Sequence, residues 1–408
     1  MVSEQGPYLC DPRQIPRPSR ALTLDEDDAL QYAVPVRVLI VGAGIIGVSL
    51  ADALARRGAQ VHVLDRRGPG RGASYASAGI LAPYTEAQAD SPLLNLGARS
   101  LALFDDLIAD LRARTGIPIE YARSGTLEIS FDDDQSLRLQ STTDWLETIG
   151  IAADWLEAED IAGIEPSVSP HARGGILVRS HGYVGVTSLL RALIQSARLS
   201  GATFESPIEA VEISASPGDL VVRANGRPYD ADAVIVAAGS WSSRIRVTGI
   251  PAWPVRPIRG QLIELEWPEQ APQPSRVVWG PDCYCVPWST GSLLVGATSE
   301  DVGFDEHSTV EGVRTLLTAV TRLLPDSCRA AFGDVRVGLR PASADGLPIV
   351  GPIDEAPGVM AATGHYRNGV LMAPLTAQAV SRYLLDGAMD DLLSVASPNR
   401  FEPTRTPR

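Results

Sequence analysis

The sequence predicts an α/β protein that joins a Rossmann-like dinucleotide-binding domain to an α+β substrate domain with a mainly antiparallel sheet. Three observations support this fold class. A buried strand, a glycine-rich turn and a helix follow one another in residues 36–58, as at the start of a nucleotide-binding βαβ unit. Helical and strand patterns then alternate. Between residues 250 and 300 strand-like runs succeed each other closely, which is typical of antiparallel pairing.

The first element is a strand at Val36–Val41, followed at once by the turn Gly42–Gly47. After the turn, apolar residues recur on one helical face at Ile46, Leu50, Ala53 and Leu54. Arg56-Arg57-Gly58 ends this helix, because cations suit its negative dipole end and glycine stops it. Val61–Asp65 is the second strand.

The remaining elements follow from the same patterns. We expect helices at about 92–115, 137–149 and 187–199, and strands at 126–131, 220–224, 233–238, 259–266, 284–288 and 292–297. The predicted dinucleotide-binding domain is discontinuous and comprises residues 35–90, 172–250 and 331–398. Residues 91–171 and 251–330 form the predicted substrate domain, between an irregular leader at 1–34 and a tail at 399–408.

The composition is that of a soluble globular protein, with 45% hydrophobic and 21% charged residues in a chain of 408. That length allows two domains. No apolar run approaches the roughly 20 residues that cross a membrane, and the N-terminal segment lacks the order of a secretory signal. We therefore expect a cytoplasmic protein.

The charge and the basic residues exclude several kinds of function. A net charge of −14 argues against nucleic acid as a partner, because phosphate binding needs a basic surface. All 35 basic residues are arginine, so neither a lysine Schiff base nor a lysine general base exists here.

The four cysteines are Cys10, Cys283, Cys285 and Cys328. A single residue separates Cys283 from Cys285, which is too short for a zinc knuckle, and no histidine follows at zinc-finger spacing. We expect buried thiols rather than a disulfide framework or a metal site.

The glycine-rich turn has the complete context of a dinucleotide site. Gly42 allows the tight turn, Gly44 lets a pyrophosphate approach the backbone, and Gly47 lets the helix pack on the strand. Asp65 ends the next strand, where it can accept hydrogen bonds from a ribose diol. The segment Ala233–Trp241 is a second strand pattern that ends at a glycine, Gly239, and we expect it to return the chain to the same sheet.

Two features favour a flavin over NAD. The segment Gly72–Pro83 is small, flexible and polar, so it can lie against a flat hydrogen-bonding ring. The late return of the chain at Ala233–Trp241 is the second feature. A second GxGxxG turn and a CxxxxC pair are both absent from the sequence, which argues against a disulfide reductase or a two-dinucleotide monooxygenase.

Two C-terminal segments narrow the interpretation further. They are Gly338–Gly351 (GLRPASADGLPIVG) and Gly364–Pro374 (GHYRNGVLMAP). With these motifs the sequence resembles FAD-dependent glycine oxidases of the thiamine-biosynthetic type, in the D-amino-acid oxidase superfamily. The resemblance covers about residues 36–398 and implies a D-amino-acid oxidase-like fold.

The resemblance implies roles for four residues at the substrate. Arg340 corresponds to the arginine that grips the substrate carboxylate, as suits a guanidinium fork. Tyr284 corresponds to a tyrosine that adds a hydroxyl bond there, and Arg367 to an arginine beside substrate and flavin. Ser299 stands where these oxidases carry a larger apolar residue, which leaves the site open to bulkier amines.

Each of these residues also has a purely structural interpretation. Arg340 can be an ion-pair partner, Tyr284 a core aromatic residue and Arg367 a solvated turn residue. His365 can serve only to shape its loop.

The cofactor-contacting positions implied by the resemblance surround the motifs already described. They are Ile45, Ile46, Asp65, Arg66, Ala73, Ser74, Ala78, Gly79, Ile80, Ile208, His365, Tyr366, Arg367, Asn368, Gly369, Val370 and Leu371. A helix that begins near Gly369 is expected to point its N-terminus at the flavin. Pro374 is compatible with that helix only in its first turn.

The implied activity is oxidative deamination of glycine and other small amino acids, such as sarcosine and small D-amino acids, by hydride transfer to noncovalent FAD. Dioxygen reoxidises the flavin to give hydrogen peroxide, with an imine or 2-oxo acid and ammonia or an amine as products. The imine of glycine can supply thiamine thiazole synthesis. The family also suggests a homo-oligomer, with a tetramer as one form.

Two alternatives stay open. One is an FAD-dependent amino-acid dehydrogenase that passes electrons to a quinone or an electron-transfer protein. The other is a flavin-binding structural subunit without catalysis.

Overall fold

The computed structural model describes residues 35–85 and 91–401. The predicted leader, Cys10 and most of the predicted tail lie outside these residues. The helices are α1 Ile45–Ala55, α2 Pro92–Ala102, α3 Phe104–Thr115, α4 Asp133–Thr148, α5 Ala158–Ile164, α6 Val186–Leu199, α7 Val310–Leu323, α8 Gly369–Asp386 and α9 Asp391–Val395. Short 3₁₀ helices cover Gly239–Arg244, Pro325–Arg329 and Pro398–Arg400.

The strands belong to four sheets. They are β1 Arg37–Val41, β2 Gln60–Leu64, β3 Ile80–Leu81, β4 Tyr121–Ala122, β5 Thr126–Ser130, β6 Ala153–Glu157, β7 Gly174–Val178, β8 Gly182–Val184, β9 Thr203–Glu205, β10 Val211–Ser216, β11 Asp219–Ala224, β12 Arg227–Tyr229, β13 Ala233–Val236, β14 Arg246–Val247, β15 Val255–Glu266, β16 Val277–Trp279, β17 Tyr284–Pro287, β18 Ser292–Gly296, β19 Ala331–Ser343, β20 Ile349–Pro352 and β21 Val359–Thr363.

A six-stranded sheet has the order β20-β21-β13-β1-β2-β9. Its neighbours pair in parallel except β20, which runs antiparallel to β21 at one edge. Strands buried on both faces read as continuous apolar runs, and β13 and β21 are buried at every residue. This sheet is the predicted Rossmann-like unit, which is confirmed.

The six-stranded sheet is the middle layer of three. Helices α1, α2, α3, α6 and α8 share one apolar core with one face of the sheet. The other face, with Leu39, Val41 and Val236, packs against the four-stranded sheet β12-β11-β10-β14. Both faces of the parallel sheet are therefore covered, as the burial of its strands requires.

The second large sheet has eight strands in the order β19-β15-β18-β17-β16-β5-β7-β6. All its pairs are antiparallel except β16 with β5. Helices α5 and α7 cover one face through Ile161, Leu316 and Val320. The other face contributes apolar residues to a small cluster that includes Ala78, so it is directed toward the segment 72–83. The predicted antiparallel part is confirmed.

The domain boundaries that we predict remain a proposal. In the structure β7 and β19 pair within the eight-stranded sheet, although our division places residues 174–178 and 331–343 with the dinucleotide-binding part.

Three predicted elements differ from the structure by a break or by more than two residues at one end. The helix predicted at 92–115 is two helices, α2 and α3. Arg123 Nη1 donates to Leu101 O, one of the last carbonyls of α2, at 3.3 Å. Asp105 and Asp106 favour a new helix N-terminus. Helix α4 begins four residues early because Asp132 caps it by accepting from Gln135 N at 2.8 Å. Strand β15 begins at Val255 because β19 pairs along its whole length.

The prediction for Pro374 is wrong. It lies inside α8, beyond the first turn. A side chain of α2 satisfies the interrupted backbone hydrogen bonding of α8. Ser100 Oγ donates to Leu371 O at 2.5 Å and accepts from Leu375 N at 3.3 Å. These are the two backbone groups that an uninterrupted helix would join directly. The inserted hydroxyl satisfies both groups.

The cysteine prediction is confirmed in part. Cys283 and Cys285 are free and buried, whereas Cys328 is free but exposed. Within residues 35–85 and 91–401 no helix has the length and apolar character needed to cross a membrane.

We expect Ser100→Ala to destabilise the protein by about 1–3 kcal/mol, because it leaves two buried backbone groups of α8 without a partner. The measurement is the free energy of unfolding from urea titration. Ser141→Ala is the matched control, since Ser141 Oγ also donates to a helix carbonyl, that of Leu137, but is exposed. Equal effects of the two substitutions would contradict the bridging role of Ser100.

Candidate active site

The glycine-rich turn joins the carboxyl ends of three neighbouring strands. Gly42 has φ +111°, and a Cβ there would lie 2.4 Å from Ala237 O. Its N–H donates to Leu64 O at 2.7 Å. A Cβ on Gly47 would lie 1.9 Å from Gly42 O. Only glycine fits either position, so the turn seats α1 directly on the ends of β1 and β13.

Side-chain bonds hold the turn in place. Ser74 Oγ accepts from Ile45 N, at the start of α1, at 2.9 Å. Asp65 Oδ2 accepts from Ala43 N at 2.7 Å, and its Oδ1 accepts from Arg67 N and Gly68 N at 2.8 Å each. Asp65 thus links the first turn to the loop after β2.

A large cavity of about 850 Å³ begins at this turn. Its walls come from the turn, the loop 72–83, the ends of β13 and β17, part of β19 and the start of α8. The cavity extends from the six-stranded sheet to the inner face of the eight-stranded sheet. Its volume is at the upper end of the range for small-molecule sites.

Most residues predicted for the site line this cavity. They are Gly42, Gly44, Ile45, Ile46, Asp65, Arg66, Ala73, Ser74, Ala78, Gly79, Ile80, Ile208, Gly239, Tyr284, Arg340, His365, Tyr366, Arg367, Asn368, Gly369, Val370 and Leu371. Segments that are more than three hundred residues apart in sequence are therefore brought to one cavity.

Two predicted site residues do not line it. Gly47 lies behind the turn, where its lack of a side chain serves packing. Ser299 is exposed and lies beyond the end of β18 at Gly296. Ser299 lies close to Tyr366, which does line the cavity.

Arg340 lies flat over a glycine of the neighbouring strand. A Cβ on Gly260, in β15, would lie 2.3 Å from Arg340 Nη2. Arg340 Nη1 donates to Thr298 O at 3.0 Å. Among the described residues no carboxylate lies within ion-pair distance of Arg340. Its neighbour Arg259, by contrast, pairs with Glu300 at 2.5 Å and Asp305 at 2.6 Å.

Tyr284 is held in a similar way. A Cβ on Gly296, its partner in β18, would lie 2.5 Å from the Tyr284 hydroxyl. On the other side its ring packs against Trp279 with centroids 5.2 Å apart. The tyrosine therefore has a fixed orientation at the cavity wall.

The loop Gly364–Asn368 is tied to β19 and to α8. Tyr366 N donates to Pro341 O at 2.9 Å, and Asn368 N donates to His365 O at 2.9 Å. His365 is buried, and its Nε2 lies 3.1 Å from Thr376 Oγ1. Burial lowers the pKa of His365 to about 3, so the imidazole is neutral at physiological pH.

Several lining residues escaped prediction, among them Arg71, Trp241, Arg244, Trp279 and Asp282. Trp241 could have been found, since it directly follows the second strand-to-glycine stop. Trp279 faces Tyr284 across a hairpin, a pairing that depends on strand register. The arginines carry no local signal.

A family model described as FAD dependent oxidoreductase (DAO) matches residues 37–383. The match spans the glycine-rich turn, β19 and the loop 364–369. The chain belongs to this family. FAD is therefore the cofactor of the protein, and the fold is that of the D-amino-acid oxidases.

Proteins of this family are similar to this chain in sequence and structure over most of its length. A glycine oxidase of Geobacillus kaustophilus is 33% identical over 345 residues, covering 84% of this chain and 91% of that protein. The crystal structure of the glycine oxidase from Geobacillus kaustophilus superposes with a TM-score of 0.84 at 32% identity, covering 90% of this chain and all (100%) of the other.

A bifunctional protein ThiO/ThiG of Synechocystis is 34% identical over 378 residues. The match covers 91% of this chain but only 55% of that protein. The chain thus spans about half the length of this relative.

The residues present fit an FAD molecule. Gly42 and Gly79 bring bare backbone to the cavity wall, and a Cβ at Gly79 would lie 1.8 Å from Val184 O. The N-terminus of α1 supplies N–H groups and a positive dipole end for a pyrophosphate. The small side chains Ala73, Ser74 and Ala78 leave room along the wall.

We expect Gly42→Ala to abolish FAD binding or folding, because its Cβ would overlap Ala237 O. Gly58→Ala is the control: Gly58 also has a positive φ, +87°, but nothing lies within 4 Å of its Cβ position. That control should lose about 1 kcal/mol of stability only. Bound flavin per chain and the thermal midpoint measure the difference, and full FAD occupancy in Gly42→Ala would contradict the packing described.

We expect His365→Asn to flatten the acid side of the stability profile. Folding lowers the pKa of His365 from 6.5 to about 3, so between these values the unfolded chain binds a proton that the folded chain does not. Stability therefore falls as pH falls through this window, by about 1.4 kcal/mol per pH unit for one proton. Urea unfolding from pH 7 to pH 4 tests this, with exposed His171→Asn as the control. Parallel profiles for wild type and His365→Asn would refute it.

Proposed function

We propose that this protein is an oxidase that deaminates glycine and other small amino acids, including sarcosine and small D-amino acids. The observation that carries the proposal is Arg340. It presents a guanidinium to the cavity with backbone carbonyls as its described partners, next to an arginine that pairs with two carboxylates. A cation held in this way favours a carboxylate ligand from outside the chain.

Arg340 is the proposed clamp for the substrate carboxylate, and Tyr284 adds a hydroxyl bond to it. Arg367 lies in the same cavity, with its guanidinium 5.3 Å from the Tyr366 ring centre, and adds positive charge near the substrate. Because Gly260 and Gly296 seat the first two side chains, the clamp is preorganised, which lowers the entropy lost on binding.

The cofactor is held by the turn Gly42–Gly47, by the loop 72–83 and by the start of α8. FAD, when bound, accepts a hydride from the substrate Cα and returns the electrons to dioxygen. Three backbone N–H groups already occupy Asp65, so of about four acceptor sites on a carboxylate roughly one is left for a ribose hydroxyl. We propose that the FAD is bound noncovalently.

The name of the Geobacillus relative supports glycine as a substrate, and that of the ThiO/ThiG relative supports a role in supplying the glycine imine for thiamine thiazole synthesis. Ser299 lies outside the cavity wall, so in this proposal it does not contact the substrate directly. We further propose a cytoplasmic homo-oligomer, with a tetramer as one form.

Anaerobic mixing with glycine, sarcosine and D-alanine tests the proposal. Loss of the oxidised flavin absorbance is expected with at least one of them, and in air hydrogen peroxide should form at the rate of substrate loss. Turnover only with an artificial dye would identify a dehydrogenase. Unchanged absorbance with all three amines would reject the proposed substrate class.

We expect Arg340→Ala to weaken glycine binding by roughly 10- to 150-fold, since a charge-assisted hydrogen bond contributes about 1.5–3 kcal/mol. The Kd comes from the substrate dependence of anaerobic flavin reduction. Arg256→Ala, at an exposed ion pair with Asp301, is the control and should change it less than about twofold.

Gly260→Ala separately tests the packing contact that positions the Arg340 guanidinium. It keeps the charge of Arg340 but displaces its side chain, so a smaller weakening of the same Kd is expected. An unchanged Kd in both Arg340→Ala and Gly260→Ala would remove Arg340 from the clamp.

A further inference from the structure

Three side chains form one wall of the cavity at its dinucleotide end. Arg67 lies two residues after Asp65 in the loop after β2, and Trp241 and Arg244 lie in the 3₁₀ helix after β13. All three line the cavity, yet Arg67 and Arg244 are exposed and Trp241 is half-buried. Side chains therefore separate this part of the cavity from solvent, and we call Arg67, Trp241 and Arg244 the side-chain wall.

The side-chain wall is held from outside by the loop between β18 and α7. Phe304 of this loop does not line the cavity, but its ring centre lies 3.6 Å from the Arg244 guanidinium carbon and 5.9 Å from the Trp241 ring centre. The Arg67 guanidinium lies 4.4 Å from the Trp241 ring centre. Arg67 Nη1 also donates to both carboxylate oxygens of Glu306, at 2.8 and 3.0 Å. The loop of one large sheet thus contacts every member of a wall that belongs to the other.

The loop that carries Phe304 is fixed by a buried arginine. Arg259, in β15, donates to Glu300 Oε2 at 2.5 Å, to Asp305 Oδ2 at 2.6 Å and to His307 O at 3.1 Å. Its side chain is only 4% exposed, and charge-assisted bonds of this kind are strong. Asp305 directly follows Phe304 in the chain, so the ring projects from a rigid support. The long arginine side chains of the wall are the parts that can rotate.

The side-chain wall lies in a basic part of the cavity lining. Arg66 and Arg71 line the cavity close to Arg67 in the chain, and Arg244 adds a fourth guanidinium. Within residues 35–85 and 91–401, Glu306 is the only carboxylate that forms an ion pair with any of these four arginines. The acidic residues of the lining, which form no ion pair with them, are Asp65, Glu209, Asp282 and Asp345. A cofactor with an anionic pyrophosphate is therefore attracted to this part of the cavity.

We propose that FAD enters and leaves the protein through the side-chain wall, and that Phe304 and Glu306 keep this passage closed. Opening the passage separates rings and guanidinium groups and displaces no strand. At Gly42 and Gly79, by contrast, the cavity lining is backbone packed so closely on other backbone that not even a Cβ fits. The inference concerns the cofactor and does not depend on which substrate the protein oxidises.

A closing contact of this kind has a distinct kinetic signature. If FAD passes only while the wall is open, the association and dissociation rate constants are both proportional to the open fraction. Weakening the contact then raises both rate constants by the same factor and leaves their ratio, the Kd, unchanged. Loss of a residue that binds FAD directly would instead raise the dissociation rate constant and the Kd together.

The test compares wild type with Phe304→Ala. Exchange of bound FAD against an excess of isotopically labelled FAD gives the dissociation rate constant, and FAD added to the flavin-depleted full-length chain gives the association rate constant. Both should rise by roughly 5- to 30-fold, because a cation–π contact and an aromatic pair are lost. Glu306→Gln should raise both by about twofold, since its ion pair is partly exposed. Val302→Ala, an exposed residue of the same loop outside these contacts, is the control and should change neither.

Two results would overturn the proposal. In one, Phe304→Ala raises the dissociation rate constant and the Kd together, which makes Phe304 part of the binding site itself. In the other, neither rate constant changes. If Phe304→Ala does not fold, Phe304→Leu keeps an apolar side chain but offers no ring to Arg244 and Trp241, and the same outcomes decide. These measurements use no amino acid, so a failure of the proposed oxidase function would leave them unaffected.

Discussion

The close approach of two backbone segments at Gly42 is the constraint on which the rest of the site depends. The turn after β1 is in contact with the carbonyl of Ala237 at the end of β13 and leaves no room for a side chain. The same residue bonds to the end of β2 through Leu64 O. Three strand ends are thus fixed at one point, from which α1, Asp65 and the second glycine stop all take their positions.

Strand β19 connects the cofactor end of the cavity to the end proposed to bind the substrate. A Cβ at Gly338 would lie 2.8 Å from the Ala76 side chain, so the strand lies against the loop 72–83. Two residues on, Arg340 reaches the cavity, and Ala342 then bridges to His365. One strand therefore positions the cofactor loop, the guanidinium and the last loop relative to each other, although it belongs to the eight-stranded sheet.

The sequence predicted what depends on local chain geometry. The strand–turn–helix at Val36–Ala55 and the parallel and antiparallel halves follow from glycine positions and hydrophobic period. What depends on distant partners was missed. The contact of the Arg340 guanidinium with Gly260 requires the pairing of β15 with β19. The position of Pro374 inside α8 requires a hydroxyl from α2. The exposure of Ser299 depends on the path of the chain between β18 and the bridge of Glu300 to Arg259, which the sequence pattern does not specify.

The Ser100 hydroxyl has a consequence for protein engineering. Because this hydroxyl substitutes for a helical hydrogen bond of α8, it ties the first turns of that helix to α2. Gly97, also in α2, lines the cavity beside Pro83 and Leu371. Substitutions on the outer face of α2 can therefore tilt the start of α8 and reshape the cavity remotely. Libraries aimed at new amine substrates could sample this second layer while every residue that touches the ligand stays unchanged.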